Sequence, residues 1–145
     1  MRTARLFWAP ALVASALAAG CAAPPTEPFD GTFPEEPYTT LTSDEGAFVL
    51  EVRTAPNQPP TRGRTEVELR ISDLDGEPIE DVALTVVPFM PDMAHATSTE
   101  PEVEALGGGR YEIAPVDMIM SGRWELLTTI EGPVHDSAKV AFEIE

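Results

Sequence analysis

Two thioether sulfurs and one imidazole fall within six residues in the middle of this chain, in the segment 89–96 (FMPDMAHA). Pro91 keeps this segment out of a helix interior and out of a central strand, so we expect a loop. Thioether sulfur favours copper(I) and imidazole also binds copper, whereas calcium and magnesium prefer oxygen ligands. The segment therefore predicts a copper site, in the copper(I) state, with Met90, Met93 and His95 as ligands.

Alternation of apolar and polar residues predicts seven short strands between residues 42 and 145. They centre on residues 48–52, 67–71, 82–88, 102–106, 111–115, 122–130 and 138–144. Seven such strands, without a convincing helix signal, predict an all-β fold: a seven-stranded immunoglobulin-like antiparallel β-sandwich. Trp124 is expected to anchor its core, with a partner for the indole N–H.

Strand order positions a second sulfur cluster near the first. Met118 and Met120 follow the fifth predicted strand, and the segment 89–96 follows the third. Because consecutive antiparallel strands alternate in direction, the two loops are expected at the same end of the sandwich, where Met118 or Met120 would complete the site. His135 follows the sixth strand and is expected at the opposite end, as a solvated turn residue. As an alternative, the methionines are flexible filler in the core or in loops.

The first 20 residues have the features of an export signal. Arg2 and Arg5 precede an apolar run that is too short for a membrane span of about 20 residues. The signal ends in LAAGC, which resembles a bacterial lipobox and predicts cleavage before Cys21 and lipid attachment to it; ordinary secretion is the alternative. Cys21 is the only cysteine, so it has no disulfide partner in the chain. The neutral Ala22 differs from an acidic inner-membrane retention signal, which favours the outer membrane, facing the periplasm or the exterior.

Residues 21–41 predict a disordered tether, since they contain five prolines and few aliphatic residues. The folded domain is predicted at residues 42–145. Without residues 1–20 the chain keeps seven basic and 25 acidic residues, a net charge of −18. Such an acidic surface repels nucleic acid, so nucleic acid is not an expected partner.

Three segments together resemble the YtkA-like domain family and its FixH-like relatives; they are residues 88–96, 108–111 and 118–126. The family has a Met-Pro-x-Met-x-His loop, a glycine-tyrosine strand start and a methionine-glycine-x-tryptophan strand start. The resemblance covers about residues 48–144 and implies a small extracytoplasmic sandwich, often a lipoprotein or fused to copper proteins, with a copper-handling role. It assigns Met93 and His95 to the family's loop positions, and Met118 or Met120 to its second motif. Ala94 stands where a glycine is usual in the family.

These features predict a membrane-anchored extracytoplasmic protein that captures copper or passes it to a copper-accepting envelope protein. An enzyme is not expected, because the sequence offers no Ser-His-Asp arrangement and no second histidine near the loop. The alternative is a non-catalytic protein-interaction module of the cell envelope, in which the methionines form an apolar patch. His95 discriminates between the two, since a metal site would lose its only nitrogen ligand with it.

Overall fold

The computed structural model describes residues 29–145 as two antiparallel sheets packed face to face. The strands are β1 (Thr39–Thr42), β2 (Val49–Ala55), β3 (Gly63–Ser72), β4 (Ala83–Met90), β5 (His95–Ala96), β6 (Glu102–Gly107), β7 (Arg110–Met118), β8 (Gly122–Glu131) and β9 (His135–Ile144). One sheet has the order β1-β2-β3-β7-β6 and the other β5-β4-β8-β9. Without β1 and β5, these are the strand orders of a constant-type immunoglobulin domain. The predicted all-β sandwich is therefore confirmed.

The seven predicted strands are present, together with two short strands that the sequence pattern did not predict. β1 starts at Thr39, so the sheet begins before the domain boundary predicted at Thr42. Tyr38, which was assigned to the tether, packs on Phe142 with ring centroids 5.4 Å apart. Tyr38 and Leu41 lie against the core, so their apolar surface explains why this proline-rich stretch joins the sheet.

Residues 1–28 lie outside the described part of the chain, and with them the predicted signal peptide, Cys21 and the first part of the tether. From residue 29 onwards, no helix has the length and apolar character needed to cross a membrane.

The core lies between the two sheets and takes alternate residues from each. Trp124, Phe142 and Leu50 are its largest fully buried side chains. Burying a side chain of this size stabilises the fold by roughly 1.5–3 kcal/mol relative to leaving it exposed. Packing of inward residues from both sheets therefore fixes which strand ends meet at each end of the sandwich.

A buried carboxylate, Asp136, fixes the start of β9. It accepts hydrogen bonds from the Ser43 hydroxyl at 2.6 Å and from the backbone N–H groups of Ser137 at 2.7 Å, Glu45 at 2.9 Å and Ala47 at 3.1 Å. Burial alone would raise the pKa of Asp136, but these four hydrogen bonds outweigh it and lower the pKa from 3.8 to about 2. The carboxylate therefore stays ionised inside the fold.

The same network holds the loop 43–47 beside β9. The backbone N–H of Asp44 donates to the Ser137 carbonyl at 2.7 Å, and the Ser137 hydroxyl donates to the Asp44 carboxylate at 2.7 Å. The loop thereby covers the first residues of β9 on the side away from β8.

Candidate metal centre

The segment 89–96 forms a tight hairpin, and the prediction that all of it is a loop was wrong. Strand β4 continues to Met90, a 3₁₀ turn spans Pro91–Met93, and the chain returns as β5. Pro91 stands at the first position of the turn, where its missing N–H is not needed, so it starts the turn without breaking β4. Met90 consequently lies directly opposite His95 in the β4–β5 pairing.

Ala94 closes the turn in the left-handed conformation, with φ of 52°. Its N–H donates to the Pro91 carbonyl at 3.1 Å. Glycine adopts this conformation without the steric cost that an L side chain incurs. The glycine usual at this position in the family is therefore explained by the turn, and the alanine here retains the same turn under strain.

Two of the five candidate metal ligands are buried in the core. Met90 is 5% exposed, and Met118 is fully buried. The Met90 methyl group lies beside Gly122 at the start of β8, since a Cβ added at Gly122 would be 2.7 Å from Met90 Cε. In this sheet β4 lies between β8 and β5, the strand that carries His95. These two methionines fill the core, which is the role that the alternative interpretation gives them.

A bulge in β7 explains why Met118 faces inward. The pairing with β3 shifts between Thr65 and Val67, so that β7 has one residue more than β3 at this point. An extra residue reverses the faces of the residues that follow it. Val116 and Met118 are therefore buried, and Asp117 faces outward.

The other three candidate ligands are nearer the surface. Met93 is 58% exposed, and His95 is exposed as well. Met120 is partly buried and packs against the edge of the core. The Trp124 indole N–H donates to the Met120 carbonyl at 2.8 Å, which supplies the partner expected for this tryptophan and fixes the loop that carries Met120.

The ring of His95 is oriented by its own strand. His95 Nδ1 lies 2.9 Å from the Ala96 carbonyl oxygen. Because a carbonyl only accepts hydrogen bonds, Nδ1 carries the proton and the Nε2 lone pair of the neutral ring remains available. A hydrogen bond from one ring nitrogen to a backbone carbonyl is typical of histidines that bind a metal through the other nitrogen.

A cavity of about 320 Å³ lies between the hairpin and the loop after β7. The two loops thus meet at one end of the sandwich, where strand parity predicts them. The cavity is lined by His95, Ala96, Thr97, Ser98, Thr99, Asp117, Ile119 and Trp124. Asp117 was not among the predicted site residues; it faces outward after the bulge in β7 and pairs with Arg64 Nε at 3.2 Å.

His135 does not belong to this arrangement. It begins β9, is exposed, and contacts the Glu131 carboxylate through Nδ1 at 2.8 Å, as expected for a solvated turn residue. Within residues 29–145, no group of three His, Cys, Asp or Glu side chains is placed to hold a metal ion. Of the five candidate ligands, only His95 lines the cavity; Met93 lies on the turn of the hairpin and Met120 on the loop after β7.

Two solved structures are similar to this one in fold. A DUF4426 family protein from Pseudomonas aeruginosa PAO1 is 13% identical over 73% of this chain and 96% of that chain, with a TM-score of 0.53. FetP from uropathogenic Escherichia coli strain F11, expressed in the periplasm of E. coli BL21(DE3), is 13% identical over 72% of this chain and 91% of that chain, with a TM-score of 0.52. At this identity, the likeness concerns the fold alone.

Comparison with curated protein sequences gave no significant match. The YtkA-like family profile matches residues 44–129, more than half of the chain. The matched range contains the hairpin with Met93 and His95, the loop with Met120, and Trp124. The chain therefore belongs to the YtkA-like family.

Proposed function

We propose that this protein binds one copper(I) ion at the end of the sandwich formed by the hairpin and the loop after β7. The ligands are His95 Nε2 and the thioethers of Met93 and Met120. The observation that carries the proposal is the hydrogen bond between His95 Nδ1 and the Ala96 carbonyl, which leaves Nε2 as the free nitrogen. Met90 and Met118 support the site from the core and are not ligands.

The donor set suits a soft metal ion that is exchanged. Two thioethers and one imidazole give copper(I) a trigonal environment, and thioethers are neutral, so they bind the ion without releasing protons. Met93 stands on an exposed turn, so its sulfur can meet an incoming ion before the other ligands do. These properties favour capture and transfer of copper over permanent storage.

The proposed cellular setting follows from the N-terminal sequence. Cleavage before Cys21 and lipid attachment to it anchor the protein to a membrane of the cell envelope, with the outer membrane favoured. The domain then faces the periplasm or the exterior on its proline-rich tether. Copper handling there, as in FixH-like relatives, gives it a copper-accepting envelope protein as its partner.

One observation favours a second candidate function, a metal-free protein-interaction module. Met93 is 58% exposed and Ile119 is 66% exposed, and they belong to the two loops that meet at this end. Exposed apolar side chains of this kind mark protein-binding surfaces when they cluster. Such a surface would keep its function when His95 is replaced, whereas the copper site would not.

Titration with copper(I) against a chromogenic competitor tests the proposal. We expect the purified chain to bind one equivalent, and each of His95→Ala, Met93→Leu and Met120→Leu to weaken binding at least about tenfold, since each loses one of three ligands. Met118→Leu is the matched control: it removes a thioether from the core and should change the affinity by less than about twofold, because Leu conserves volume. If the chain competes no better than His95→Ala, the copper proposal fails and the interaction module takes its place.

A further inference from the structure

A second cavity, of about 470 Å³, lies on the outer face of the five-stranded sheet, under the segment 31–35. Its lining includes three arginines, one buried glutamate and two apolar side chains: Arg53, Arg70, Arg110, Glu68, Phe33 and Leu106. Three of the seven basic residues that follow position 20 therefore meet at one cavity, in a chain with 25 acidic residues. Each of these arginines also forms an ion pair with Glu51 or Glu68, so the cavity lies over a network of three arginines and two glutamates.

Two of these arginines face each other. Arg70 on β3 lies directly opposite Arg110 on β7. Like charges in directly opposed positions destabilise a sheet. The two arginines are paired with different glutamates. Arg70 Nη1 lies 3.2 Å from the Glu51 carboxylate, and Arg110 Nη1 lies 3.5 Å from the Glu68 carboxylate. Each guanidinium group is paired through one nitrogen and is partly exposed, so both keep N–H donors that an anion between them could use.

The third arginine, Arg53, is held by the residues around it. Arg53 uses Nε and Nη2 on the Glu35 carbonyl, at 3.3 and 3.2 Å, and Nη2 also on Glu51 at 3.0 Å. Arg53 Nη1 is buried and has no hydrogen-bond partner among residues 29–145; its nearest acidic contact is Glu68 Oε1 at 3.5 Å. Because this nitrogen is enclosed and faces the Glu68 carboxylate, Arg53 positions Glu68 beside the cavity and leaves ligand contact to the two more exposed arginines, Arg70 and Arg110.

We propose that this cavity binds an organic carboxylate. The carboxylate lies between Arg70 and Arg110, whose planar forks match the two oxygens of such a group. An apolar body of the ligand contacts Phe33 and Leu106, which supply the apolar part of the lining. The site is on a sheet face and shares no residue with the proposed copper ligands, so the two proposals stand or fall separately.

Calorimetric titration of the purified full chain with phenylacetate tests this site. We expect saturable one-to-one binding of phenylacetate and none of phenylacetamide, which has the same apolar body without the charge. Arg70→Gln and Arg110→Gln should each weaken binding about tenfold or more, as expected for the loss of a charged hydrogen-bonding partner. Arg123→Gln is the matched control, because Arg123 is as exposed as Arg110, at 50%, and is likewise paired with one glutamate.

A peptide arm distinguishes the sources of the carboxylate. Tighter binding of acetyl-Ala-Ala-Phe with a free carboxyl terminus than of phenylacetate assigns the site to peptide ends, and the reverse order assigns it to free organic acids; both orders support the proposal. It is overturned if neither probe saturates, if phenylacetamide binds as well as phenylacetate, or if Arg123→Gln weakens binding as much as Arg110→Gln. Thermal unfolding of each variant confirms that the domain remains folded.

Discussion

The indole N–H of Trp124 donates to the backbone carbonyl of Met120 across 2.8 Å, so the largest buried side chain of the core also fixes a loop at the candidate metal site. The hydrogen bond spans the start of β8, where the chain enters the sheet after the methionine cluster. Core packing and the position of a candidate ligand are therefore coupled through one residue.

Replacing Trp124 by Phe tests that coupling. The change removes the hydrogen bond and part of the buried volume, and we expect it to lower the free energy of unfolding by roughly 2 kcal/mol. Copper(I) affinity should fall as well, because the loop carrying Met120 loses its anchor. Urea unfolding and competitor titration measure the two effects. Loss of stability with unchanged copper affinity would contradict the coupling between the indole hydrogen bond and the metal site.

The left-handed turn residue gives a stabilising prediction. Ala94→Gly relieves about 1–2 kcal/mol of steric cost at φ of 52°. The greater conformational freedom of glycine in the unfolded chain offsets this gain in stability by roughly 0.4–1 kcal/mol. We therefore expect a net gain of about 0.5–1 kcal/mol in urea unfolding. Ala96→Gly, two residues later in β5, is the control and should destabilise the protein; equal effects at both positions would contradict the role of the turn.

Met90 and Met93 differ in burial, so we expect their replacement to change the free energy of unfolding by different amounts. Met90→Ala should cost roughly 2–4 kcal/mol of unfolding free energy, because it leaves a cavity in the core. Met93→Ala should change it by less than about 0.5 kcal/mol, because the side chain is 58% exposed. Urea unfolding without copper compares the two variants directly. Similar costs for the two variants would contradict the burial of Met90 and the exposure of Met93.

Asp136 gives the protein a specific sensitivity to acid. Its pKa is lowered from 3.8 to about 2 on folding, so between these values the unfolded chain binds more protons than the folded one. The stability that this carboxylate contributes is complete above about pH 4 and is lost as the pH falls towards 2. Asp136→Asn should cost roughly 2 kcal/mol at pH 6. Urea unfolding at several pH values should show this cost shrinking below pH 4.

Asp75→Asn serves as the control for Asp136, because Asp75 is exposed in a turn between β3 and β4. Its effect on the free energy of unfolding should be small. A cost for Asp136→Asn that stays constant below pH 4 would contradict the assignment of the pH dependence to this carboxylate.

Period-two alternation was enough to predict the sandwich, because each long strand buries one face. The short strands were missed for a physical reason: two residues of β5 and four of β1 are too few to show a period. The sequence also predicted that the two methionine-containing loops lie at the same end of the sandwich. This prediction needs only the number of strands between the loops, because consecutive antiparallel strands alternate in direction.

The division of the methionines between core and surface could not be predicted in the same way. Met90 is buried because it is the last residue of β4, whereas Met93, three residues later, stands on the turn. Met118 is buried because the bulge in β7 reverses the faces of the residues after it. Neither the turn nor the bulge changes the spacing of residue types, so the sequence does not separate fillers from candidate ligands.

The loop 43–47 has a consequence for association between molecules. Strand β9 ends its sheet, and an uncovered ten-residue edge offers backbone donors and acceptors to any extended chain nearby. The backbone N–H of Asp44 already occupies the Ser137 carbonyl on that edge. The Asp136 carboxylate holds this loop in place and so restricts the addition of a foreign strand. We therefore expect edge-to-edge aggregation to begin under acid conditions that protonate Asp136.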